Sequence, residues 1–216
     1  MEFIPSDYEI HSVYFLPQYQ PLLPKLPANI KLFEVTSTEL EKISTLQAPQ
    51  GILALVNIPQ TTAIDLNTLR NKFSLVLDGV QDPGNLGTII RTADWFGIEH
   101  VICSPNTVEV YNPKTVQATM GSLCRVKVSY QDLPDFIKEA GIPVFGAMLN
   151  GSSLYETQWG NEGLVILGNE GQGVSPEIVD LISHPVTIPR VGHAESLNVA
   201  VSAAIFCADI SRNMKK

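Results

Sequence analysis

The sequence predicts an α/β fold in which residues 73–216 form a parallel sheet with helices on both faces. From residue 73 onward, short apolar runs alternate with segments of helical periodicity. Several of these runs are continuously apolar, which is typical of strands that are covered on both faces. Gly97 and Gly141 follow two of the helical segments, at the position where a glycine commonly ends a helix.

The part of the chain before residue 60 predicts a smaller α/β piece. It is rich in proline and holds a single glycine, Gly51. Strand-like runs cover Lys31–Val35 and Gly51–Val56, and a helical segment, Ser37–Leu46, lies between them with Ser37 as its candidate N-cap. We therefore expect a small domain over residues 1–60, a linker over residues 61–72 and a larger domain over residues 73–216.

The elements of the larger domain follow one another along the chain. The predicted strands are Ser74–Val80, His100–Cys103, Arg125–Ser129, Pro143–Met148, Leu164–Leu167 and Val186–Ile188. The predicted helices are Leu86–Phe96, Pro113–Gly121, Asp132–Ala140, Pro176–Ile182 and Ser196–Met214. Residues 196–208 of the last helix carry no charge. Such a helix is buried, either in the domain core or against a second subunit, and both interpretations stay open.

The composition excludes several classes of protein. The 216 residues carry a net charge of −8, which argues against a protein that holds nucleic acid by overall charge alone but leaves room for a local basic patch. No apolar run is long enough for a membrane-spanning helix, and the N-terminal residues lack the basic region of a secretory signal. The three cysteines form no CxxC pair, so we expect buried thiols, no metal site and a reducing, cytoplasmic compartment.

Three junctions between a strand and a helix carry glycine or proline together with polar side chains. The first runs from Asp78 to Gly97, with Asn85 placed to cap the helix and Arg91 about two turns further on. A loop of this kind binds an anion at the helix start or is simply a tight turn. The second, Leu164–Ser175, has the spacing G-x-x-G-x-G, which differs from that of a P-loop and of a Rossmann dinucleotide loop.

The third junction, Val186–Ala200, places Ser196 and Asn198 at a helix start, where they bind a ligand or only cap the helix. In open α/β sheets, ligands bind at the carboxyl ends of the strands. We therefore expect the polar side chains of the three junctions to converge on one site. They are Asn85, Arg91, Glu170, Ser196 and Asn198.

Taken together, the three junctions resemble the three motifs of the SpoU (TrmH-like) RNA 2′-O-ribose methyltransferases. The matching residues are Asn85-x-Gly87-x-x-x-Arg91-Thr-Ala with Phe96-Gly97, then Gly168-Asn-Glu170-x-x-Gly173, then Ile188-Pro189 with Ser196-Leu-Asn198-Val. The resemblance implies the SPOUT fold, in which the C-terminal part is tied in a deep trefoil knot. It also implies S-adenosylmethionine as the cofactor and a homodimer formed through the C-terminal helix region.

The resemblance also assigns roles to residues. It implies that Arg91 is the catalytic arginine and that Asn85, Glu170, Ser196 and Asn198 surround the ribose and phosphate of the RNA. The residues that it places around the cofactor are Gly146, Ala147, Leu167, Gly168, Asn169, Gly173, Ile188 and Leu197. Because a guanidinium pKa exceeds ~12, we expect Arg91 to position the phosphate and stabilise the developing alkoxide rather than to accept a proton.

Residues 1–60 resemble the C-terminal part of a small ribosomal-protein-like substrate domain, most clearly at Gln47-Ala-Pro-Gln-Gly51-Ile-Leu-Ala. The segment is shorter than such domains, so we expect a truncated version. The leading hypothesis is therefore an RNA 2′-O-methyltransferase that acts on ribosomal RNA. A transfer RNA substrate, a non-catalytic RNA-binding protein of the same fold and a different nucleotide-binding α/β enzyme remain alternatives.

Two surface features also carry predictions. Trp95 and Phe96 lie on a predicted helix and are expected in the core rather than as platforms for RNA bases. Several cations form either a basic track or a scattered, solvated surface. They are Arg70, Lys72, Arg91, Lys114, Arg125, Lys127 and Arg190.

Overall fold

The computed structural model describes residues 6, 8–23, 26–46, 48–59 and 64–214 and separates into two compact units, residues 1–61 and 62–216. The first unit is a three-stranded sheet in the order β2–β1–β3, formed by β1 (Ile10–Phe15), β2 (Lys31–Glu34) and β3 (Ile52–Val56). Its described residues also include the α-helix α1 (Ser37–Ile43) and a 3-10 helix, Pro17–Leu22. β1 pairs with β2 in parallel and with β3 antiparallel. The sequence did not predict β1, because the fully buried Ser12 interrupts its apolar pattern.

The N-cap of α1 is Thr36, so the prediction of Ser37 was wrong. The Thr36 hydroxyl accepts a hydrogen bond from the Glu39 backbone N–H at 3.3 Å, and the Glu39 carboxylate accepts one from the Thr36 N–H at 2.8 Å. These two bonds form a capping box. The hydrogen bonds from Thr36 also lower the pKa of Glu39.

The second unit is built on a six-stranded, fully parallel sheet. Its strands are β4 (Phe73–Leu77), β5 (His100–Cys103), β6 (Lys127–Tyr130), β7 (Val144–Ser153), β8 (Gly163–Leu167) and β9 (His184–Thr187). They lie in the order β6–β5–β4–β8–β7–β9. The predicted α/β class with a parallel sheet is confirmed. β6 starts two residues later than predicted, because Ser122–Cys124 form a short 3-10 turn before it.

Five helices cover this sheet. They are α2 (Pro83–Trp95), α3 (Pro113–Thr119), α4 (Leu133–Ala140), α5 (Pro176–Val179) and α6 (Val199–Met214). Three of their starts differ from the prediction. α4 begins one residue later than predicted, at Leu133, because Asp132 is its N-cap. α2 begins at Pro83 because the Asp82 carboxylate, and not Asn85, caps it. α6 begins at Val199, after Ser196, because the Asn198 side-chain oxygen accepts hydrogen bonds from the N–H groups of Ala200 and Val201.

The helices pack on the two faces of the sheet. Alternate strand residues, among them Val76, Ile102 and Ile166, share a buried cluster with α4 and α5. On the opposite face α6 packs against α2 and β8. The α6 residues that are buried there include Phe206, Cys207 and Asp209, and the Asp209 carboxylate accepts a hydrogen bond from the indole N–H of the buried Trp159 at 2.8 Å. Burial raises the pKa of Cys207 to about 12.

The segment predicted as a linker belongs partly to the second unit. Residues 66–69 form a 3-10 turn whose Leu69 is buried in the cluster with α4, and Ile64 and Leu66 pack against the same cluster. The linker prediction is therefore wrong for residues 64–69, since the apolar side chains of Ile64, Leu66 and Leu69 pack into the core of the second unit. Residues 61–63 and Gln47 lie outside the described residues.

β7 contains an excursion at its carboxyl end. Ala147 and Ser152 both lie opposite Val186 of β9, so residues 148–151 loop out between them. A Cβ at Gly151 would lie 2.6 Å from the carbonyl oxygen of Pro185. Only a residue without a side chain lets the chain return to the sheet this closely.

His100 gives the second unit a specific dependence on pH. Its side chain is buried, and its Nε2 lies 3.3 Å from the Thr68 hydroxyl. Burial lowers the pKa of His100, and the positive charge of Lys127 adds to the shift, which outweighs the opposite effect of Glu99. In the unfolded chain a histidine takes up its proton near pH 6.5. The stability that the neutral His100 contributes is therefore fully present above that pH. This contribution is lost as the pH falls through the lower pKa of His100 in the folded state.

We predict that the free energy of unfolding, measured by urea denaturation, falls between about pH 7.5 and about pH 5.5. The variant His100→Gln should show a smaller fall, because its side chain does not titrate. His193→Gln, at an exposed loop position, serves as the control and should keep the parent's dependence. A parent and a His100→Gln variant with the same fall would contradict the prediction.

Candidate active site

The polar residues of the three junctions lie at the carboxyl edge of the parallel sheet. β4 and β8 are neighbours there, and Leu77 of β4 pairs with Leu167 of β8. From β4 the chain continues to β5 and β6 on one side of β4, and it later forms β7 and β8 on the other side. The strand order therefore reverses between β4 and β8. Crevices for ligands form at such a switch point.

The loop after β8 is a tight turn built on glycine. The backbones of Asn169 and Gly173 exchange two hydrogen bonds of 2.9 Å, and the Asn169 side-chain oxygen accepts from the N–H groups of Gly171 and Gln172. Gly173 has a φ of +74°, which disfavours any other residue. A Cβ at Gly168 would overlap the backbone of Gly173, so the turn closes only with glycine at position 168.

Two further contacts join this loop to the end of β4. The Asn169 side chain donates a hydrogen bond of 2.7 Å to the carbonyl oxygen of Gly79, and the Asp78 carboxylate accepts one of 2.7 Å from the Ser175 N–H. Asp78 also donates its own N–H to the Leu167 carbonyl. From its position at the end of a buried strand, Asp78 was a candidate either to accept a hydrogen bond from the backbone or from RNA or to cap the turn, and the structure shows that it accepts one from the backbone.

Three of the five predicted catalytic residues form one hydrogen-bonded series. The Asn85 side-chain amide donates to Glu170 Oε1 at 2.8 Å, and the Asn198 amide donates to Asn85 Oδ1 at 3.0 Å. The side-chain oxygen of Asn198 caps α6. The series therefore runs from the loop after β8 through α2 to the start of α6. We call it the Glu170–Asn85–Asn198 series. The prediction that these three junctions meet is confirmed for these residues.

Arg91 and Ser196 are exposed and make no hydrogen bond to this series. Arg91 follows Asn85 by six residues of α2, which corresponds to about 9 Å along the helix axis and about 120° around it. Within the described part of the chain, no group forms a hydrogen bond or ion pair with the Arg91 guanidinium. Its charge is therefore available to a ligand.

The residues predicted around a cofactor come from three neighbouring strands. Gly146 of β7 pairs with Ile166 of β8 and with Pro185 of β9, and Ala147 pairs with Val186. Leu167 ends β8, and Ile188 directly follows β9. A Cβ at Gly146 would overlap the side chain of Ile182, so this glycine is also required for packing. Leu197, in the loop before α6, is 48% exposed.

Much of the predicted basic track is neutralised. Arg70 pairs with Glu162, Lys72 with Glu99 at 2.7 Å, and Arg125 with Asp94 at 2.7 Å. The hydrogen bonds from Arg125 lower the pKa of Asp94. The interpretation of these residues as part of a basic track is therefore wrong, because each already faces a carboxylate.

The predicted burial of Trp95 is also wrong. The buried side of α2 is formed by residues at helical spacing that end at Ala93, and Trp95 falls on the other side with 84% of its surface exposed. Phe96, in contrast, is partly buried and lines a cavity of about 170 Å³ together with Cys207 and Met214. That cavity lies at the amino ends of β4 and β5, away from the junctions described above.

Several known proteins are similar to this chain. The SpoU rRNA Methylase family model matches residues 72–208. The 23S rRNA (guanosine(2553)-2′-O)-methyltransferase RlmP of Bacillus subtilis is 35% identical over 184 residues, which cover 83% of this chain and 72% of the relative.

Two solved structures are also similar. A TrmH-family protein from Porphyromonas gingivalis is 37% identical with a TM-score of 0.87, over 98% of this chain and 86% of the other. The AdoMet-bound rRNA methyltransferase from Sinorhizobium meliloti is 28% identical with a TM-score of 0.85, over 96% and 82% of the two chains. Among the described residues, no helix is both long and apolar enough to cross a membrane.

We predict that Gly168→Ala opens the loop after β8, because its methyl group displaces the backbone of Gly173. The expected result is a loss of stability of roughly 1–3 kcal/mol in urea denaturation. We also expect at least a tenfold weaker binding of S-adenosylhomocysteine in calorimetry. Gly171→Ala is the matched control, since its Cβ would lie 3.5 Å from the nearest atom, the Asn169 side-chain oxygen. Equal effects of the two variants would contradict the prediction.

Proposed function

We propose that this chain, which belongs to the SpoU rRNA methylase family and is an RNA 2′-O-ribose methyltransferase that uses S-adenosylmethionine, methylates ribosomal RNA. The observation that carries this proposal is the Glu170–Asn85–Asn198 series, which holds the three motifs together at the strand-order switch. The ribosomal substrate is supported by the Bacillus subtilis relative, whose name describes an enzyme of 23S rRNA.

The residues at the ends of β7, β8 and β9 fit the cofactor. The loop after β8 offers a glycine backbone to which a ligand can come close, and Ile188 and Leu197 offer partly exposed apolar side chains to a purine ring. We therefore assign Gly146, Ala147, Leu167, Gly168, Asn169, Gly173, Ile188 and Leu197 to the cofactor site. When bound, the cofactor supplies an electrophilic methyl group on a positively charged sulfur.

The catalytic residues of this chain act by position and charge. The series fixes the Glu170 carboxylate through Oε1, while no described residue engages Oε2. Glu170 Oε2 is therefore available to accept a hydrogen bond, and then the proton, from the 2′-hydroxyl that attacks in line. Asn85 and Asn198 hold that carboxylate and the start of α6 in place, and the exposed Ser196 is available to the ribose.

Arg91 supplies the positive charge in this mechanism. An arginine is not a practical base, because its pKa exceeds ~12. Its guanidinium instead holds the phosphate beside the target ribose and stabilises the developing alkoxide. The distance of about 9 Å along α2 between Asn85 and Arg91 leaves room for the nucleotide between the two. Orienting the two reactants in this way supplies a large part of the rate enhancement.

The assembly is a homodimer through the region of α6. Val201 is 48% exposed, and with Ala204 and Ala208 it forms a stripe without charge along the helix. A second copy of this chain covers that stripe. We further propose that the segment from β9 to α6 threads the trefoil knot, since it leaves the edge strand β9 and returns to α2 and β8. The compartment is the cytoplasm, where ribosomal RNA is found.

Residues 1–60 form a substrate-binding piece in this proposal. Its support is the resemblance of Gly51-Ile-Leu-Ala and its neighbours to a ribosomal-protein-like domain. Because this part of the chain has three lysines, no arginine and six acidic residues, it recognises RNA by shape and direct contacts rather than by charge.

The experiment is a methyl-transfer assay on deproteinised large-subunit ribosomal RNA with labelled S-adenosylmethionine, with bulk transfer RNA as the second substrate. We expect labelled 2′-O-methyl nucleotides from the ribosomal RNA. Calorimetry with S-adenosylhomocysteine and light scattering report cofactor binding and the dimer. A folded chain that binds no S-adenosylhomocysteine, or that labels only transfer RNA, would overturn the proposal.

We predict that Arg91→Ala lowers kcat for methyl transfer by about 10²- to 10³-fold, because the phosphate and the alkoxide lose their cation. Binding of S-adenosylhomocysteine and the thermal midpoint should stay at the parent's values. Lys138→Ala removes another exposed helical cation, on α4, and should leave kcat unchanged. Normal turnover of Arg91→Ala would refute the role given to this residue.

A further inference from the structure

We propose that Arg190 is an RNA-binding residue that holds a backbone phosphate of the substrate, as a second cation besides Arg91. The inference rests on the proposed function and adds a substrate contact to it. Arg190 lies in the loop between β9 and α6. This loop joins Ile188 of the proposed cofactor site to Asn198 of the Glu170–Asn85–Asn198 series, so a ligand bound to the loop lies beside both.

One hydrogen bond holds the Arg190 guanidinium close to the candidate active site. Its Nη1 donates to the Ala194 carbonyl oxygen at 3.2 Å. Ala194 precedes Ser196 by two residues, so the Cα atoms of these two residues are at most about 7 Å apart. Asn198, two residues further on, donates to Asn85 of α2. The contact with Ala194 therefore turns the Arg190 side chain toward the end of the loop that carries the catalytic residues.

The positive charge of Arg190 is not neutralised within the described part of the chain. A guanidinium has five N–H donors, and the bond to Ala194 uses one of them. Among the residues that the structure describes, no carboxylate pairs with this guanidinium, although Glu195 lies in the same loop. Arg70 and Arg125, in contrast, each form an ion pair. Arg190 therefore keeps both its charge and most of its donors for a ligand.

The loop around Arg190 is open to a large ligand. Residues 189–198 are all exposed, and Val191 is 100% exposed. At Gly192, no atom outside its chain neighbours lies within 4 Å of the place where a Cβ would stand. A polymer that lies across this loop can therefore reach the guanidinium without displacing another part of the described chain.

A phosphate of RNA suits this cation better than the cofactor does. S-adenosylmethionine carries a carboxylate, but its amino group and its sulfonium give the whole molecule a net positive charge that repels an arginine. Arginine binds a phosphate with two parallel hydrogen bonds. Because the chain carries a net charge of −8, it needs local cations where the RNA backbone passes. We therefore assign Arg190 to a phosphate next to the methylated nucleotide.

The test measures the binding of a fluorescein-labelled single-stranded RNA of mixed sequence, about 15 nucleotides long, between about 50 and about 200 mM KCl. Arg190→Gln removes the charge but keeps an N–H group that can donate to the Ala194 carbonyl. It should raise the Kd about tenfold at the lower salt concentration. It should also reduce the slope of log Kd against log[KCl] by about 0.7, the value for one phosphate of a single strand. Arg190→Lys should keep the parent's slope, because it keeps the charge.

Further readouts separate a phosphate contact from a structural role. Lys138→Ala removes an exposed cation of α4, and its Kd and salt slope should equal those of the parent. In the methyl-transfer assay, Arg190→Gln should raise KM for RNA. The same variant should keep the parent's Kd for S-adenosylhomocysteine, its thermal midpoint and its mass in light scattering.

Several results would overturn the inference. One is a salt slope of Arg190→Gln equal to that of the parent. Another is weaker binding of S-adenosylhomocysteine with an unchanged Kd for RNA, which would assign Arg190 to the cofactor carboxylate. A halved mass of Arg190→Gln in light scattering would place the residue in the dimer contact instead.

Failure of this inference is distinguishable from failure of the proposed function. A parent chain that binds no RNA overturns both. A parent chain that binds RNA but transfers no methyl group contradicts only the proposed activity, because the salt slope of Arg190→Gln is measured without methyl transfer and still decides the role of Arg190.

Discussion

The hydrogen bonds between the end of β4 and the loop after β8 are the constraint on which the candidate active site depends. Asp78 accepts a hydrogen bond from the Ser175 N–H across 97 residues of sequence, and the Asn169 side chain donates one to the Gly79 carbonyl across 90 residues. These bonds hold the glycine loop above the point where the strand order reverses. Glu170 lies within that loop, so its position relative to Asn85 and Asn198 follows from them.

The sequence predicted the larger domain well, because its signals are local. Continuous apolar runs mark strands that are covered on both faces, and β5 has the predicted bounds, His100–Cys103. The meeting of Asn85, Glu170 and Asn198 was also predictable, since the carboxyl ends of parallel strands share one edge of the sheet. A Cβ at Gly168 would overlap the backbone of Gly173, which explains why the glycine at this position predicts a tight turn after β8.

Other features were not predictable, because they depend on competition between neighbours or on tertiary contacts. Asp82 caps α2 in place of Asn85, which leaves the Asn85 side chain for the Glu170–Asn85–Asn198 series. Residues 64–69 were predicted as a linker, but Leu69 is buried in the cluster with α4. Trp95 reads as a core residue by type, and its exposure follows only from the rotation of α2 about its axis.

The excursion of β7 offers a place where the length of the chain can change during evolution. Both ends of the excursion, Ala147 and Ser152, meet the same residue of β9, Val186. Insertions or deletions within residues 148–151 therefore leave the register of β7 and β9 intact. The excursion follows Gly146 and Ala147 directly, so relatives of different loop length can reshape the rim of the proposed cofactor site while the sheet beneath it stays the same.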